Sequence, residues 1–73
     1  MRDPIYLYFD KDGHHKFYDM IDNGDDTFTA HWGKIETEGK TTVYPLSQWY
    51  KKYADKIEKG YDESNVSYGA WIR

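Results

Sequence analysis

Three groups of residues in this 73-residue chain have types and spacings that could do chemistry. The first is Trp32-Gly33-Lys34, inside the stretch TAHWGKIETEGK. A tryptophan face stacks on a base or a sugar, and a stacked base contributes about 1–3 kcal/mol. A glycine beside it removes the side chain that would block a ligand backbone. A lysine next to both meets a phosphate. Plain packing explains the same residues equally well, with Trp32 folded inward, Gly33 letting the chain leave the strand and Lys34 solvated. The second group is FDKDGHH, where Asp10, Asp12, His14 and His15 lie close together. Imidazoles suit Zn²⁺ or Ni²⁺. Adjacent histidines on an extended segment point to opposite faces, however, and cannot share an ion. This stretch reads as a polar hairpin turn, and no metal or cofactor is expected. The third group is Lys51, Lys52, Lys56 and Lys59. They could track phosphates, but taken alone they read as a solvated helix face.

Catalytic constellations are missing. Serines stand only at Ser47, Ser64 and Ser67, none of them in a nucleophile-elbow context. Neither a P-loop nor a dinucleotide fingerprint is present. In a chain that is 32% charged, the carboxylates need no special purpose. A domain this small also has little room for a substrate pocket. The expectation is a non-enzyme with no small-molecule substrate.

The net charge of −3 argues against a strongly basic, indiscriminate nucleic-acid binder. The charge is uneven, though. Residues 1–38 carry −5 and residues 39–60 carry +3, so a local basic surface is compatible with the acidic total. Aromatics make up 19% of the chain, with three Trp, eight Tyr and three Phe. Each ring brings roughly 150–250 Å² of buriable surface, which lets a few rings build a thin core. The chain has no cysteine, which excludes disulfides and thiolate metal sites. It has no long apolar run and no signal-peptide pattern at its start. A cytoplasmic setting away from the membrane is expected.

The elements that must position these residues follow from the hydrophobic period. Up to Tyr44 it is two. IYLYFD (Ile5 to Asp10), KFYDMI (Lys16 to Ile21), TFTAHW (Thr27 to Trp32) and KTTVY (Lys40 to Tyr44) read as four strands. Gly13 supplies the first turn, and Asn23-Gly24 predicts a tight hairpin. Short connections make an antiparallel meander the simplest topology. Phe28, Ala30 and Trp32 share one parity unless a bulge near Gly33 reverses it. After Pro45 the period changes to that of a helix. LSQWYKKYADKIEKG places Trp49, Tyr50, Tyr53, Ala54 and Ile57 on one apolar stripe, and Gly60 stops it. VSYGAWI could add a short strand or cover the sheet, with Trp71 as a core or lid residue. The fold class is α+β: a small antiparallel sheet of about four to five strands with one amphipathic helix on one face. The other face is expected to be partly wet, and its aromatics make it a candidate binding surface. Residues 1–73 form one domain, with a core over about 5–61 and a tail over 62–73.

In this order the motifs resemble the WGR domain, named for its Trp-Gly-Arg motif. HKFYDMI is similar to the family's NKFYE strand, through Lys16, Phe17 and Tyr18. TFTAHWGKIETEGK is similar to its Trp-Gly-Arg strand and following glycine turn, through Trp32, Gly33 and Gly39. YPLSQWYKKYADKIEKG is similar to its single helix, through Tyr53 and Lys56. The resemblance covers about residues 5–61. It implies a small sheet with one helix and no catalytic role. WGR domains occur in DNA-dependent poly(ADP-ribose) polymerases, where they help bind DNA breaks. They also occur in bacterial regulators resembling the molybdate metabolism regulator. By resemblance, Trp32 stacks, Gly33 allows approach, and Lys34, Lys16 and Lys40 meet phosphates. His15, standing where the family often has Asn, joins them. The implied partner is nucleic acid, DNA first, and the alternative is a protein partner domain. Three residues depart from the pattern. Lys34 keeps the charge of the arginine without its planar fork, His15 replaces Asn, and Glu36 replaces a glycine.

Overall fold

The computed structural model describes residues 1–70. Its sheet has five strands in the order β4-β3-β2-β1-β5. They are β1 (Ile5–Lys11), β2 (His14–Asp22), β3 (Thr27–Lys34), β4 (Lys40–Pro45) and β5 (Asp62–Ser64), and every pairing is antiparallel. A 3₁₀ turn (Leu46–Gln48) leads into α1 (Trp49–Glu58). An α+β sheet with one helix therefore stands as expected. Among the described residues, no helix is long and apolar enough to cross a membrane.

The local reasons are simple. Lys11 pairs with His14, leaving Asp12-Gly13 as a two-residue loop in which both φ angles are positive, 56° and 78°. That is the loop whose twist matches two antiparallel strands. The β2–β3 connection is longer than the tight hairpin expected at Asn23-Gly24. It spans residues 23–26, because aspartates cap the backbone there. Gly24 N–H donates to Asp22 at 2.8 Å, and Thr27 N–H donates to Asp25 at 3.2 Å. Residues 46–48 are a 3₁₀ turn instead of the first turn of the α-helix.

The register of β2 on β3 runs unbroken from Lys16–Lys34 to Asp22–Phe28, so no bulge reverses the parity near Gly33. Leu7, Tyr18, Met20, Phe28, Ala30 and Trp32 thus share the helix side, and Trp49 closes the core over them. Trp49 stands edge-on to Phe28 at 5.2 Å. Burying rings and aliphatic side chains of this size contributes about 1.5–3 kcal/mol each.

Three expectations need correction. The helix does not face the sheet along the predicted apolar stripe. Tyr50 is 71% exposed and Ala54 and Ile57 also face solvent, while Trp49, Lys52, Tyr53 and Lys56 lie inward. Spacings of three and four residues still define the inward face, but two of its four members are lysines. Lysine stems cover apolar surface while their ammonium groups stay wet, and here those groups sit over tyrosine rings. The second correction concerns the fifth strand, which is Asp62–Ser64 and comes before VSYGAWI, while residues 66–70 take the other course expected of that stretch and cover the sheet. Its sequence has little β preference. Pairing with β1 imposes the strand, together with the Tyr53 hydroxyl donating to the Glu63 carboxylate and Lys11 donating to the Gly60 carbonyl at 2.7 Å. Trp71, read from the sequence as a core or lid residue, lies outside the described residues.

The third correction is to the wet face. The side opposite the helix is crossed by residues 65–70 and by the 35–39 loop. Glu36 N–H donates to the Tyr68 carbonyl and Ala70 N–H to the Thr37 carbonyl, both at 2.8 Å. Tyr68 packs edge-on against Tyr8 at 5.2 Å. Gly69 lies flat on Phe17, where a Cβ would come within 2.4 Å of the ring. Beneath this cover, Asp19 accepts a hydrogen bond from Ser67 Oγ and lies 3.4 Å from His31 Nδ1, and His31 Nε2 meets the Glu38 carbonyl. Asp19 and His31 are both buried. This polar cluster ties the tail and the loop to the sheet centre.

Candidate functional site

Trp32 sits near the end of β3, half-buried on the helix side. Its ring tilts toward Tyr18, with centroids 6.5 Å apart. Both rings, with Tyr44, form one wall of a cavity of about 190 Å³ whose other lining residues are Lys52, Asp55, Lys56 and Lys59. The strands present the aromatics because Tyr18 pairs with Trp32 across β2–β3, and Tyr44 lies on the same side of β4. The helix presents the cations because residues 52, 56 and 59 follow each other at intervals of four and three.

The ammonium groups are held over the rings. Lys52 Nζ stands 4.4 Å from the Tyr44 centroid, and Lys56 Nζ stands 4.6 Å from that of Tyr18 and 5.4 Å from that of Tyr61. Lys16 reaches the same region from β2, with Nζ 5.1 Å from the Phe9 centroid and 6.0 Å from that of Tyr61. Cation–π attraction contributes about 0.5–1 kcal/mol at exposed sites and more where water is excluded. Burial, and then the charges of Lys59, Lys16 and Lys52, push the Lys56 ammonium below its ordinary value. Like charges gathered around a half-buried amine create a demand for an anion. The Tyr18 hydroxyl is pushed up to about 12, first by burial and then by Tyr44, Tyr61 and Asp55. It therefore remains a neutral donor at any physiological pH.

The residues predicted for the site divide into two sets. Trp32, Lys16 and Lys40 share the helix side of the sheet, with Lys40 directly across from Trp32 in the β3–β4 register. Lys34 pairs with Lys16 and lines a second, open depression with Gly13, His14, His15, Lys16 and Ile35 at the sheet end. His15 is not brought to Trp32. Its Nδ1 meets the Asp10 carboxylate. Gly33 points its bare side away from Trp32, where a Cβ would lie 2.8 Å from Gly39 Cα. Its missing side chain lets the 35–39 loop close on the sheet, which is a packing reason and not room for a ligand.

Lys52, Lys56 and Lys59, together with Tyr18 and Tyr44, belong to the Trp32 cavity although the sequence reads the helix lysines as solvent-facing. Trp49, Lys52, Tyr53 and Lys56 follow the i, i+3, i+4, i+7 spacing of one helix face, but Trp49, Tyr50, Tyr53, Ala54 and Ile57 offer a more apolar rival stripe, so periodicity alone does not single out the inward one.

Comparison with known proteins adds the fold and little chemistry. No protein-family model matches the chain. An uncharacterized protein of Invertebrate iridescent virus 6, 101L, is 30% identical over 53 residues, spanning 73% of this chain and 23% of that protein. A crystal structure of a Bacteroides fragilis protein, from the Northeast Structural Genomics Consortium, superposes with a TM-score of 0.75 at 25% identity. It covers 85% of this chain and 19% of that one. The chain thus spans about a fifth of the length of the proteins it matches. The likeness supports the α+β fold as a unit found inside larger chains.

Proposed function

We propose that this domain is a non-catalytic module that binds a nucleic-acid strand in the cleft between Trp32 and helix α1. The observation that carries the reading is the cavity itself, in which three aromatic rings face three lysines in a protein of net charge −3. Rings accept the flat parts of nucleotides whatever the base, and ammonium groups track the phosphates between them. Trp32 is the stacking residue, with Tyr18 and Tyr44 beside it. Lys52, Lys56 and Lys59 meet phosphates, and Lys16, Lys40 and Lys34 extend the basic track along the sheet. The resemblance to WGR domains supports the same reading.

Fluorescence anisotropy of labelled, 5′-phosphorylated single-stranded, nicked and duplex oligonucleotides tests it at low and moderate salt. Binding should weaken steeply with salt, and each lysine replaced by glutamine should reduce the slope of log K against log salt by about 0.7 on a single strand. Trp32→Ala should weaken binding about tenfold or more, in line with the loss of one stacked base. An absence of binding at low salt, or full binding by Trp32→Ala, would discard the proposal. Capture of a protein partner that survives high salt and is lost in Trp32→Ala would instead favour the protein-interaction reading.

A further inference from the structure

The cavity under Trp32 contains one group that a simple phosphate site has no use for. Asp55 lines it beside Lys52, Lys56 and Lys59, and a carboxylate there repels any phosphate that the lysines attract. Among the described residues, the ion pairs are Lys11–Asp62, His15–Asp10 and His31–Asp19, so no cation lies within 4.0 Å of Asp55. The carboxylate is nonetheless close enough to bear on both Tyr18 and Lys56, which line the same cavity.

An ionised carboxylate only accepts hydrogen bonds. The ligand that complements this wall must therefore place a donor right beside an anion. A ribonucleotide strand does so at every residue, since its 2′-hydroxyl is on the carbon next to the one that bears the 3′-phosphate. A deoxyribonucleotide has only hydrogen at that carbon. Bound in the same pose, it would cover the Asp55 carboxylate without giving it a partner, and a site built around a hydroxyl strongly rejects the analogue that lacks it. The 2′-hydroxyl is also the feature by which proteins tell RNA from DNA.

We propose that Asp55 accepts a hydrogen bond from a ribose 2′-hydroxyl in this cavity and so selects a ribonucleotide strand over a deoxyribonucleotide one. The inference rests on the nucleic-acid reading above and names the sugar that the same site takes.

The test uses the whole chain and three 5′-phosphorylated ten-residue oligouridylate probes: ribo, 2′-deoxy and 2′-O-methyl. The ribo probe should bind about tenfold more tightly than the other two, the discrimination expected of one charge-assisted hydrogen bond. Asp55→Ala and Asp55→Asn should both remove most of that preference, largely by letting the deoxy probe bind better. Asp55 is solvent-exposed where it lines the cavity and is no part of the core, so both variants keep the core intact. Equal binding of the three probes by the wild type overturns this inference alone. So does a rise in affinity for all three by the same factor in Asp55→Ala, because then the carboxylate only repels. Failure of every probe to bind at low salt overturns the nucleic-acid reading as well.

Discussion

Gly39 shows how tightly single residues constrain the region next to Trp32. Its φ is +64°, and a Cβ there would come within 2.1 Å of the Trp32 carbonyl oxygen and 2.9 Å of the Phe17 ring. Both the left-handed backbone and the lack of space require glycine. Gly39→Ala is predicted to cost at least about 1–3 kcal/mol, the usual cost of a strained backbone position. In a domain of this size each kcal/mol lowers Tm by about 4–8 °C, so a thermal melt reads it directly. A melt within about 2 °C of wild type would show that the 35–39 loop gives way at little cost. Trp32-Gly33-Lys34 looks like one motif in the sequence, but its three residues have separate jobs. Trp32 borders the cavity, Gly33 meets Gly39 on the opposite side, and Lys34 ends the strand.

At the scale of elements, helix α1 combines a packing surface with a cluster of like charges. Lys56 lies half-buried among Lys59, Lys16 and Lys52. Its depressed proton affinity has a stability consequence with a definite sign. The unfolded chain holds the Lys56 proton more tightly than the folded one. The folded state is therefore relieved above the ordinary lysine range and penalised as pH falls through the lowered value. Lys56→Met keeps the apolar stem against Tyr18 and Tyr61 and removes the charge. The variant is predicted to melt higher than wild type at neutral pH and low salt, while losing nucleic-acid affinity. Added salt should narrow the gap in Tm as it screens the lysines. A variant that melts lower at every salt concentration would show that attraction to the rings outweighs the repulsion. The four long strands were legible in the sequence because alternation and turn residues specify them locally. The helix was legible by its period, but its rotation was not. Which face turns inward depends on how α1 crosses Tyr18 and Tyr44, and those residues are distant in sequence. Asp62–Ser64 could not be read as a strand because its partner β1 imposes the conformation. The burial of Asp19 and His31 was equally hidden, since two polar residues on one strand face give no sign of the tail that covers them.

At the scale of the molecule, the sheet is covered on two sides by very different means. A helix packs on one side by burying rings, and six residues of irregular chain, 65–70, lie across the other, held by backbone and side-chain hydrogen bonds. The covers also divide the charge, since the lysines of α1 gather over one side while the net charge of the chain is −3. A potential divided in this way orients an approaching polyanion before contact. The same layout sets how the domain responds to force. The chain enters beside Asp22, where Arg2 N–H donates to the carboxylate at 2.9 Å, and Ala70 is held at the opposite end of the strands by Thr37. Tension drawn through the two ends thus runs along the strands and reaches the crossing segment before it reaches the sheet. In a pulling experiment, residues 65–70 are predicted to detach before β1 shears from its neighbours, with a gain well short of the roughly 20 Å that six fully extended residues reach, because the segment already runs from Ser64, paired with Tyr6, to the far end of the strands. A single rupture with no early step would show that strap and sheet yield together. In a longer chain under load, this small unit would give up its strap with little lengthening while its aromatic and lysine cleft stayed assembled.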